Sequence, residues 1–358
     1  MPITHIIISL MVTGMLLGGC SRQHTDDNAT LLRAEALMES HPDSALSILD
    51  SLDRSSLRSE SDRALYALLL VQARVKNRMD DANDSLIHAA ADYYSRTGDS
   101  QRKMLAYYNL GFLQSGTDSL SQGVTSLLTA LDLAEEIGDN FYASLACREL
   151  SIIFRKTGNP AEELLYAQRA YNHIKQTGRK PYADWAMLDI AGAYHHLRQY
   201  DSCYIVYQQL LDTLKSRPDS ALLCATWSNL SRAFIADGKS VRALPYLQKL
   251  SKSSRMTPDD FGLLGLCLAR NGNIQGAKKM LDKADPSSAL TNWLRYSISI
   301  SMGDKDMAFE SLMAMQNDSE NDILSLMNQR ATFSALLHHE QKNLQLRRMP
   351  RQHVPAQL

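Results

Sequence analysis

The chain has 358 residues, of which 44% are hydrophobic and 22% are charged, and its formal net charge is -1. This composition is ordinary for a folded protein, and the length suits one extended array or two compact domains. The balanced charge gives no reason to expect a nucleic-acid partner, because such a partner normally calls for a clearly basic domain.

The first twenty residues have the pattern of an export signal. Residues 6–17 are almost all apolar, which suits the core of a signal peptide and is too short for a comfortable membrane span. The run ends in LGGC at residues 17–20, which resembles the lipobox of bacterial lipoproteins. This resemblance implies a signal peptide over residues 1–19, lipidation at Cys20 and a lipidated polar tether over residues 20–28. A plain cleaved signal peptide with a chance cysteine is the alternative.

Behind the tether, apolar residues recur at helical spacing between short polar turns, which predicts an all-α chain of helical hairpins. We expect the following order: N-terminal helical hairpins over 29–98, core repeats over 99–286, a C-terminal hairpin and closing helix over 287–346, and a disordered tail over 347–358. Within the flanking ranges, the pattern places hairpins at 29–53, 61–97 and 290–316 and the closing helix at 322–346.

A repeat becomes visible when the chain is aligned on one apolar residue in the first helix of each core hairpin. These anchor residues are Leu110, Leu150, Ile190, Leu230 and Leu264, spaced by 40 residues except for a last interval of 34. A small residue follows each anchor, and a glycine stands eight positions after three of them. This register resembles the tetratricopeptide repeat (TPR), in which small residues let paired helices approach closely. The resemblance implies a right-handed superhelical TPR solenoid of antiparallel helical hairpins.

The HPDSAL segment at residues 41–46 carries a closer resemblance. Together with the lipobox and the repeats, it is similar to TPR lipoproteins of Bacteroidetes-type bacteria. Many of those proteins continue through a transmembrane helix into a cytoplasmic region, whereas here Met349 and Pro350 follow the last basic stretch. The resemblance therefore leaves open a truncated transmembrane TPR regulator.

Known catalytic and metal-binding motifs are missing from the sequence, so we expect no enzyme activity, no cofactor and no metal site. The histidine pairs 195–196 and 338–339 are expected to be solvated or half-buried, because adjacent helical residues point about 100° apart. The acidic pair Glu162 and Glu163 needs no special role. Four cysteines inside helical patterns match no zinc spacing and are predicted to be buried: Cys147, Cys203, Cys224 and Cys267.

The register also predicts a concave groove, lined by one face of the first helix of each hairpin. Its chemistry-bearing residues are Tyr108, Phe112, Arg148, Arg155, Lys156, Trp185, His195, His196, Arg232 and Arg270. Cations outnumber acids five to one at these positions, with Asp259 as the acid. We hypothesise that the groove binds an extended peptide that is acidic or bears a carboxylate. The alternative is a solvated face whose charges keep the chain soluble.

These expectations describe a non-catalytic scaffold for protein–protein interaction in the cell envelope, with the sensory part of a signalling protein as one form of it. The expected partners are a protein or acidic peptide and a membrane reached through the lipid anchor. Ser21 after the lipidated cysteine favours the outer membrane by analogy. A glycan- or nutrient-capture outer-membrane lipoprotein is the alternative, although the turns here are short and the chain has three tryptophans.

Overall fold

The computed structural model describes residues 28–79, 84–117 and 119–315, together with seven residues between 332 and 342. The described residues form helices, turns and short connections, with no β-strand among them. Several predictions concern residues outside this part of the chain: the signal peptide, Cys20, the lipidated tether up to residue 27, residues 80–83 of the hairpin predicted at 61–97, most of the closing helix and the tail over 347–358.

The described helices follow the order that the apolar pattern predicts. Their bounds are α1 (28–37), α2 (Pro42–Asp50), α3 (Glu60–Lys76), α4 (Asp84–Ser95), α5 (Ser100–Ser115), α6 (Leu120–Ile137), α7 (Asn140–Lys156), α8 (Pro160–Gln176), α9 (Lys180–His196), α10 (Tyr200–Ser216), α11 (Ser220–Ala236), α12 (Ser240–Leu250), α13 (Pro258–Arg270), α14 (Ile274–Leu281), α15 (Ala289–Met302) and α16 (305–315). Each odd-numbered helix is followed by its hairpin partner, so the predicted all-α architecture of helical hairpins is confirmed.

The chain divides into two compact units, residues 1–146 and 147–358. The division lies inside α7 and within the predicted core array of residues 99–286. In the first unit, α3 packs against α4 and α5, and α5 packs against α6. In the second unit, each helix from α8 to α14 packs against the next, and Tyr207 and Phe234 are among the larger residues of its main apolar core.

The anchor residues occupy equivalent places. All five are buried, each in the first helix of its hairpin. The residue after the anchor makes the same contact in two hairpins: Ser151 Oγ donates to the carbonyl of Glu163 at 3.1 Å, and Ser231 Oγ donates to the carbonyl of Ala243 at 3.5 Å. Because both bonds join the same register positions, 12 residues apart, the repeat read from the sequence is confirmed in three dimensions.

Close helix contact explains the small residue that follows the anchor. A Cβ added to Gly111 would lie 2.6 Å from Leu127 Cγ on the paired helix α6. A Cβ added to Gly265 would lie 2.6 Å from Leu294 Cδ2 on α15 of the next hairpin. Real Cβ atoms do not approach so closely, so a larger residue at Gly111 would displace α6, whose Leu127 backbone N also lies 3.0 Å away, and one at Gly265 would displace the Leu294 side chain.

The hairpin turns use a left-handed residue eight positions after the anchor. Gly158 and Gly238 have φ values of 68° and 72° there, as the glycine pattern predicts. In the hairpin of Ile190 this position is Arg198, whose φ of 57° gives the same turn without glycine. The backbone N–H of Gln199 donates to the Tyr194 carbonyl at 2.9 Å, which satisfies a carbonyl group in the last turn of α9.

The cysteines inside the helices are buried and free, as predicted. Burial raises the pKa of the Cys203 and Cys267 thiols to about 12, so both stay protonated and unreactive at neutral pH.

Thr332, within the predicted closing helix, donates to Thr157 Oγ1 at 3.5 Å beside the α7–α8 turn. Among the described helices, none combines the length and the apolar character that crossing a membrane requires.

Candidate functional site

Two adjoining cavities lie along the predicted concave face of the second unit. The first, called the polar cavity, has a volume of about 400 Å³ and is lined by Arg155, Leu188, Asp189, Gly192, His195, His196, Tyr207, Asn229, Arg232 and Asp259. The second, called the tryptophan cavity, has a volume of about 630 Å³ and includes Trp185, Ala221, Ala225, Ser228, Arg255 and Asp260 in its lining. Asn229, Arg232 and Asp259 line both, so the two cavities adjoin, and together they are called the groove.

The structure brings together only part of the predicted set. Arg155, His195, His196 and Arg232 meet at the polar cavity, and Arg232 also meets Trp185 at the tryptophan cavity. Three predicted residues of this unit line neither cavity: Arg148, Lys156 and Arg270. Lys156 and Arg270 are exposed at the ends of α7 and α13.

Tyr108 and Phe112 belong to the first unit and are described with it. The ring of Tyr108 packs edge-on against Tyr142 with the centroids 5.4 Å apart, and Phe112 lies beside Tyr108 at 6.4 Å. Hydrogen bonds hold the Tyr142 side chain in place, since its Oη accepts from Gln72 Nε2 and donates to Glu39 Oε1, each at 3.0 Å. These aromatic rings therefore form a packed cluster within the first unit.

Arg148 is neutralised by two acids that the groove register did not include. Its Nε donates to Asp189 Oδ2 at 3.0 Å, and its Nη1 lies 3.8 Å from Glu149 Oε1. Burial raises the pKa of both carboxyl groups, while Arg148 acts in the opposite direction. Because Glu149 and Asp189 stand directly before their anchors, the excess of cations counted from the sequence overstates the charge of the groove.

Glu163 has a role that the sequence analysis did not assign to it. Its side chain is 2% exposed, and its carboxylate lies 2.8 Å from His196 Nδ1. The same position, thirteen residues after the anchor, holds a small residue in the other core hairpins: Gly123, Cys203, Ala243 and Ala277. The carboxylate is tolerated there because the imidazole satisfies it, as burial of an acid requires.

Arg232 and the start of α13 form the boundary between the cavities. Arg232 Nη2 lies 3.4 Å from Asp259 Oδ2, so this cation is also partly engaged. Ser228 Oγ donates to Asp260 Oδ1 at 2.5 Å, and Asp260 completes a capping box with Thr257. These bonds hold the first turn of α13 against α11, which fixes the position of Asp259 in the groove.

Two buried polar atoms of residues that line the polar cavity have no hydrogen-bond partner among the described residues: Tyr207 Oη and His195 Nδ1. Arg155 is exposed and Asn229 is half-buried, and both also line the cavity. Tyr207 is 1% exposed, and burial raises the pKa of its hydroxyl well above the ordinary value. Burial, with help from His196 and Arg232, lowers the pKa of His195 to about 4. Near neutral pH, the hydroxyl is therefore protonated and the imidazole of His195 is uncharged.

Tyr207 was missed because its register position is usually filled by a core residue. The equivalent positions of the two preceding hairpins hold Leu127 and Ala167, so the repeat register predicts an apolar core contact for Tyr207. Its ring packs in the core, and the residue also belongs to the lining of the polar cavity. A hydroxyl at a position that is otherwise apolar was the signal in the sequence that could have found it. No group of three or more metal-ligating side chains occurs among the described residues.

No protein-family model matches the sequence, and no curated protein matches it either. Solved structures do match. A Rap protein complexed with competence and sporulation factor aligns with a TM-score of 0.60 and 12% identity, covering 91% of this chain and 96% of that chain. NprR in complex with its cognate peptide NprX aligns with a TM-score of 0.57 and 16% identity, covering 83% of this chain and 88% of that chain.

A signal transduction ATPase with a tetratricopeptide repeat sensor, from Pyrococcus horikoshii, aligns with a TM-score of 0.56 and 14% identity, covering 86% of this chain and 50% of that chain. The fold is that of the tetratricopeptide-repeat proteins. At these identities the similarity concerns the fold alone, so the function of this chain has to be argued from its own groove.

Proposed function

We propose that this TPR protein is a non-catalytic interaction scaffold whose second unit binds an extended peptide segment of a partner protein. The position of the two cavities side by side along neighbouring hairpins carries the proposal. Side chains from α7, α9, α11 and α13 line one groove, with Asn229, Arg232 and Asp259 shared along it. The crystal structure of NprR, a protein of similar fold, contains NprR in complex with its cognate peptide, and this supports a peptide-binding role for the groove.

The groove offers the two kinds of contact that an extended peptide needs. Trp185, Ala221 and Ala225 form an apolar wall in the tryptophan cavity, where a ligand side chain would bury its surface. The Asn229 amide supplies both a donor and an acceptor between the cavities, which suits the alternating N–H and C=O groups of a main chain.

Gly192 provides a direct test of peptide binding. It lines the polar cavity inside α9, and an added Cβ would meet no atom within 4 Å, so a larger side chain fits the fold and fills the cavity. Nine-residue peptides selected from a random display library on the purified full chain should lose affinity more than about tenfold for Gly192→Leu. Fluorescence anisotropy with labelled peptides measures the change.

The matched control is Gln209→Leu, which adds the same side chain at an exposed position of α10 that lines neither cavity. This variant should bind within about twofold of the parent chain, because its added surface lies away from the ligand. Selection that yields no binding peptide, or peptides that bind Gly192→Leu as well as the parent, would refute the proposed function.

A lipid anchor at Cys20 is part of the proposal, with the chain exported and attached to the outer membrane through that residue. The LGGC sequence after an apolar run supports it. Growth with labelled palmitate should label the parent chain and leave Cys20→Ala unlabelled. Equal labelling of both chains, or of neither, would contradict the anchor without affecting the proposal for the groove.

A further inference from the structure

We propose that a cavity in the first unit binds a small anion with an apolar chain, of the class of the medium-chain carboxylates. The cavity has a volume of about 530 Å³ and lies between the short 3₁₀ turn Arg54–Ser56, the first half of α3, and α4. Its lining includes Ala64, Ala67 and Ala89, and we call it the alanine cavity. No residue of the groove in the second unit lines it, so this is a second binding site.

Small side chains on two paired helices open the alanine cavity. Ala64 and Ala67 lie one turn apart on α3, and Ala89 lines the cavity from α4. The two alanines of α3 are buried, as are Leu57 and Tyr66, so the inner part of the lining is apolar. The volume lies in the range of small-molecule sites. An apolar ligand chain gains about fourfold in affinity for each methylene that it buries there.

Two exposed arginines at the rim of the alanine cavity are held in place by uncharged groups. The guanidinium of Arg54 lies over the ring of Tyr66, with 5.7 Å between Cζ and the ring centroid. Arg63 Nη1 donates to the carbonyls of Leu57 and Arg58, at 3.1 and 2.6 Å. Neither arginine forms an ion pair with a described acid, so both positive charges face solvent and an incoming anion can reach them.

The acids nearby are engaged by other groups. Glu60 lines the cavity, and its Oε1 accepts from Arg96 Nη2 at 2.7 Å. Asp53 precedes Arg54 in the chain but lies outside the lining, and its carboxylate accepts from the backbone N–H and the hydroxyl of Ser55. The cavity therefore combines an apolar interior with a rim on which positive charge is in excess. A carboxylate suits this rim because guanidinium groups bind it through two parallel hydrogen bonds, while its chain enters the interior.

Competition with a fluorescent fatty acid tests the proposal on the purified full chain. The probe is dansylaminoundecanoate, and the competitors are decanoate, octanoate, decanol and decyltrimethylammonium. Decanoate should displace the probe. Octanoate should be about tenfold weaker because it buries two fewer methylenes, and decanol about tenfold weaker because it lacks the negative charge. Decyltrimethylammonium should not displace the probe, because its positive charge would face the two arginines.

Two exposed positions connect the binding to the alanine cavity. Arg54→Gln should weaken decanoate about fivefold and decanol by less than about twofold, because only the anion uses the guanidinium. Ala89→Phe fills the cavity from its exposed side and should weaken decanoate more than about tenfold. The matched controls are Arg33→Gln and Ala36→Phe, which change exposed residues of α1 outside the lining. Both controls should bind decanoate within about twofold of the parent chain.

Decanoate binding that is lost in Ala89→Phe and weakened in Arg54→Gln, with both controls unchanged, supports the proposal. A probe that does not bind, equal displacement by decanoate, decanol and decyltrimethylammonium, or unchanged decanoate binding in either cavity variant would overturn it. Vesicles of phosphatidylcholine and phosphatidylglycerol that displace the probe when free decanoate does not would also overturn it, because the anion would then belong to a lipid surface. Peptide binding by the groove is tested separately, through Gly192→Leu, and stands or falls on that result.

Discussion

Removing the hydroxyl of Tyr207 should make the protein more stable. The side chain is 1% exposed, and its Oη has no hydrogen-bond partner in the described part of the chain. Phenylalanine keeps the ring in the core of the second unit and removes only the buried polar atom. Leaving such a group unsatisfied costs about 1–3 kcal/mol, so we expect Tyr207→Phe to raise the free energy of unfolding by about 1–2 kcal/mol.

Thermal and urea unfolding measure this gain. For a unit of this size, each kcal/mol corresponds to a rise in the melting temperature of about 2–4 °C. The midpoint in urea should increase without a change in slope, because the surface exposed on unfolding stays the same.

Two other tyrosines calibrate the measurement. Tyr94 is 2% exposed and its Oη also lacks a hydrogen-bond partner among the described residues, so Tyr94→Phe should be stabilising by a similar amount. Tyr142 Oη bonds to both Gln72 and Glu39, so Tyr142→Phe should lower the free energy of unfolding by about 1–3 kcal/mol. If Tyr207→Phe loses stability as Tyr142→Phe does, the hydroxyl has a partner in the folded protein and the reasoning is refuted.

Three further predictions follow from the backbone and from one histidine. Gly111→Ala should lower the free energy of unfolding by about 1–3 kcal/mol, because its Cβ would meet Leu127. Gly192→Ala has open space around the added Cβ and should raise the free energy of unfolding by about 0.5–1 kcal/mol. Urea unfolding measures both changes, and a Gly111→Ala protein more stable than the Gly192→Ala protein would contradict the packing argument. Arg198→Gly should raise the free energy of unfolding by about 0.5–1 kcal/mol, because glycine adopts the φ of 57° without strain. A melting temperature below that of the parent chain would contradict this prediction. The pKa of His195 lies at about 4, below its ordinary value of 6.5, so the unfolded chain takes up a proton first and the free energy of unfolding should fall as the pH decreases from 6.5 to 4. In His195→Gln this fall should be shallower, and parallel pH profiles of the two proteins would exclude the effect.

The pairing of Arg148 changes how the groove should be tested. A double reversal of Arg148 and Arg155 would leave Asp189 and Glu149 without their cation, and breaking a buried ion pair is strongly destabilising. Lost binding in that variant would then report unfolding as much as recognition. Arg155 is the better single target, since no described residue depends on it for a hydrogen bond or an ion pair.

The sequence by itself determined the helices, their hairpin pairing and the repeat register. These features are local: apolar residues at helical spacing define each helix, and turn residues such as Gly158 end it. The small residue after each anchor also follows from one rule, the close crossing of neighbouring helices. The prediction therefore extended to hairpins in both units and to the residues that line the groove in α9 and α11.

Only the tertiary structure decided which polar groups of the groove are available to a ligand. Arg148 and Asp189 are 41 residues apart, and His196 and Glu163 are 33 apart, so their pairing depends on how neighbouring hairpins stack. The same stacking brings Tyr207 into the lining of the polar cavity, although its ring occupies a core position of the repeat. Periodicity assigns a residue to one face of its own helix, whereas the partner of a side chain is set by a second helix whose position the pattern does not contain.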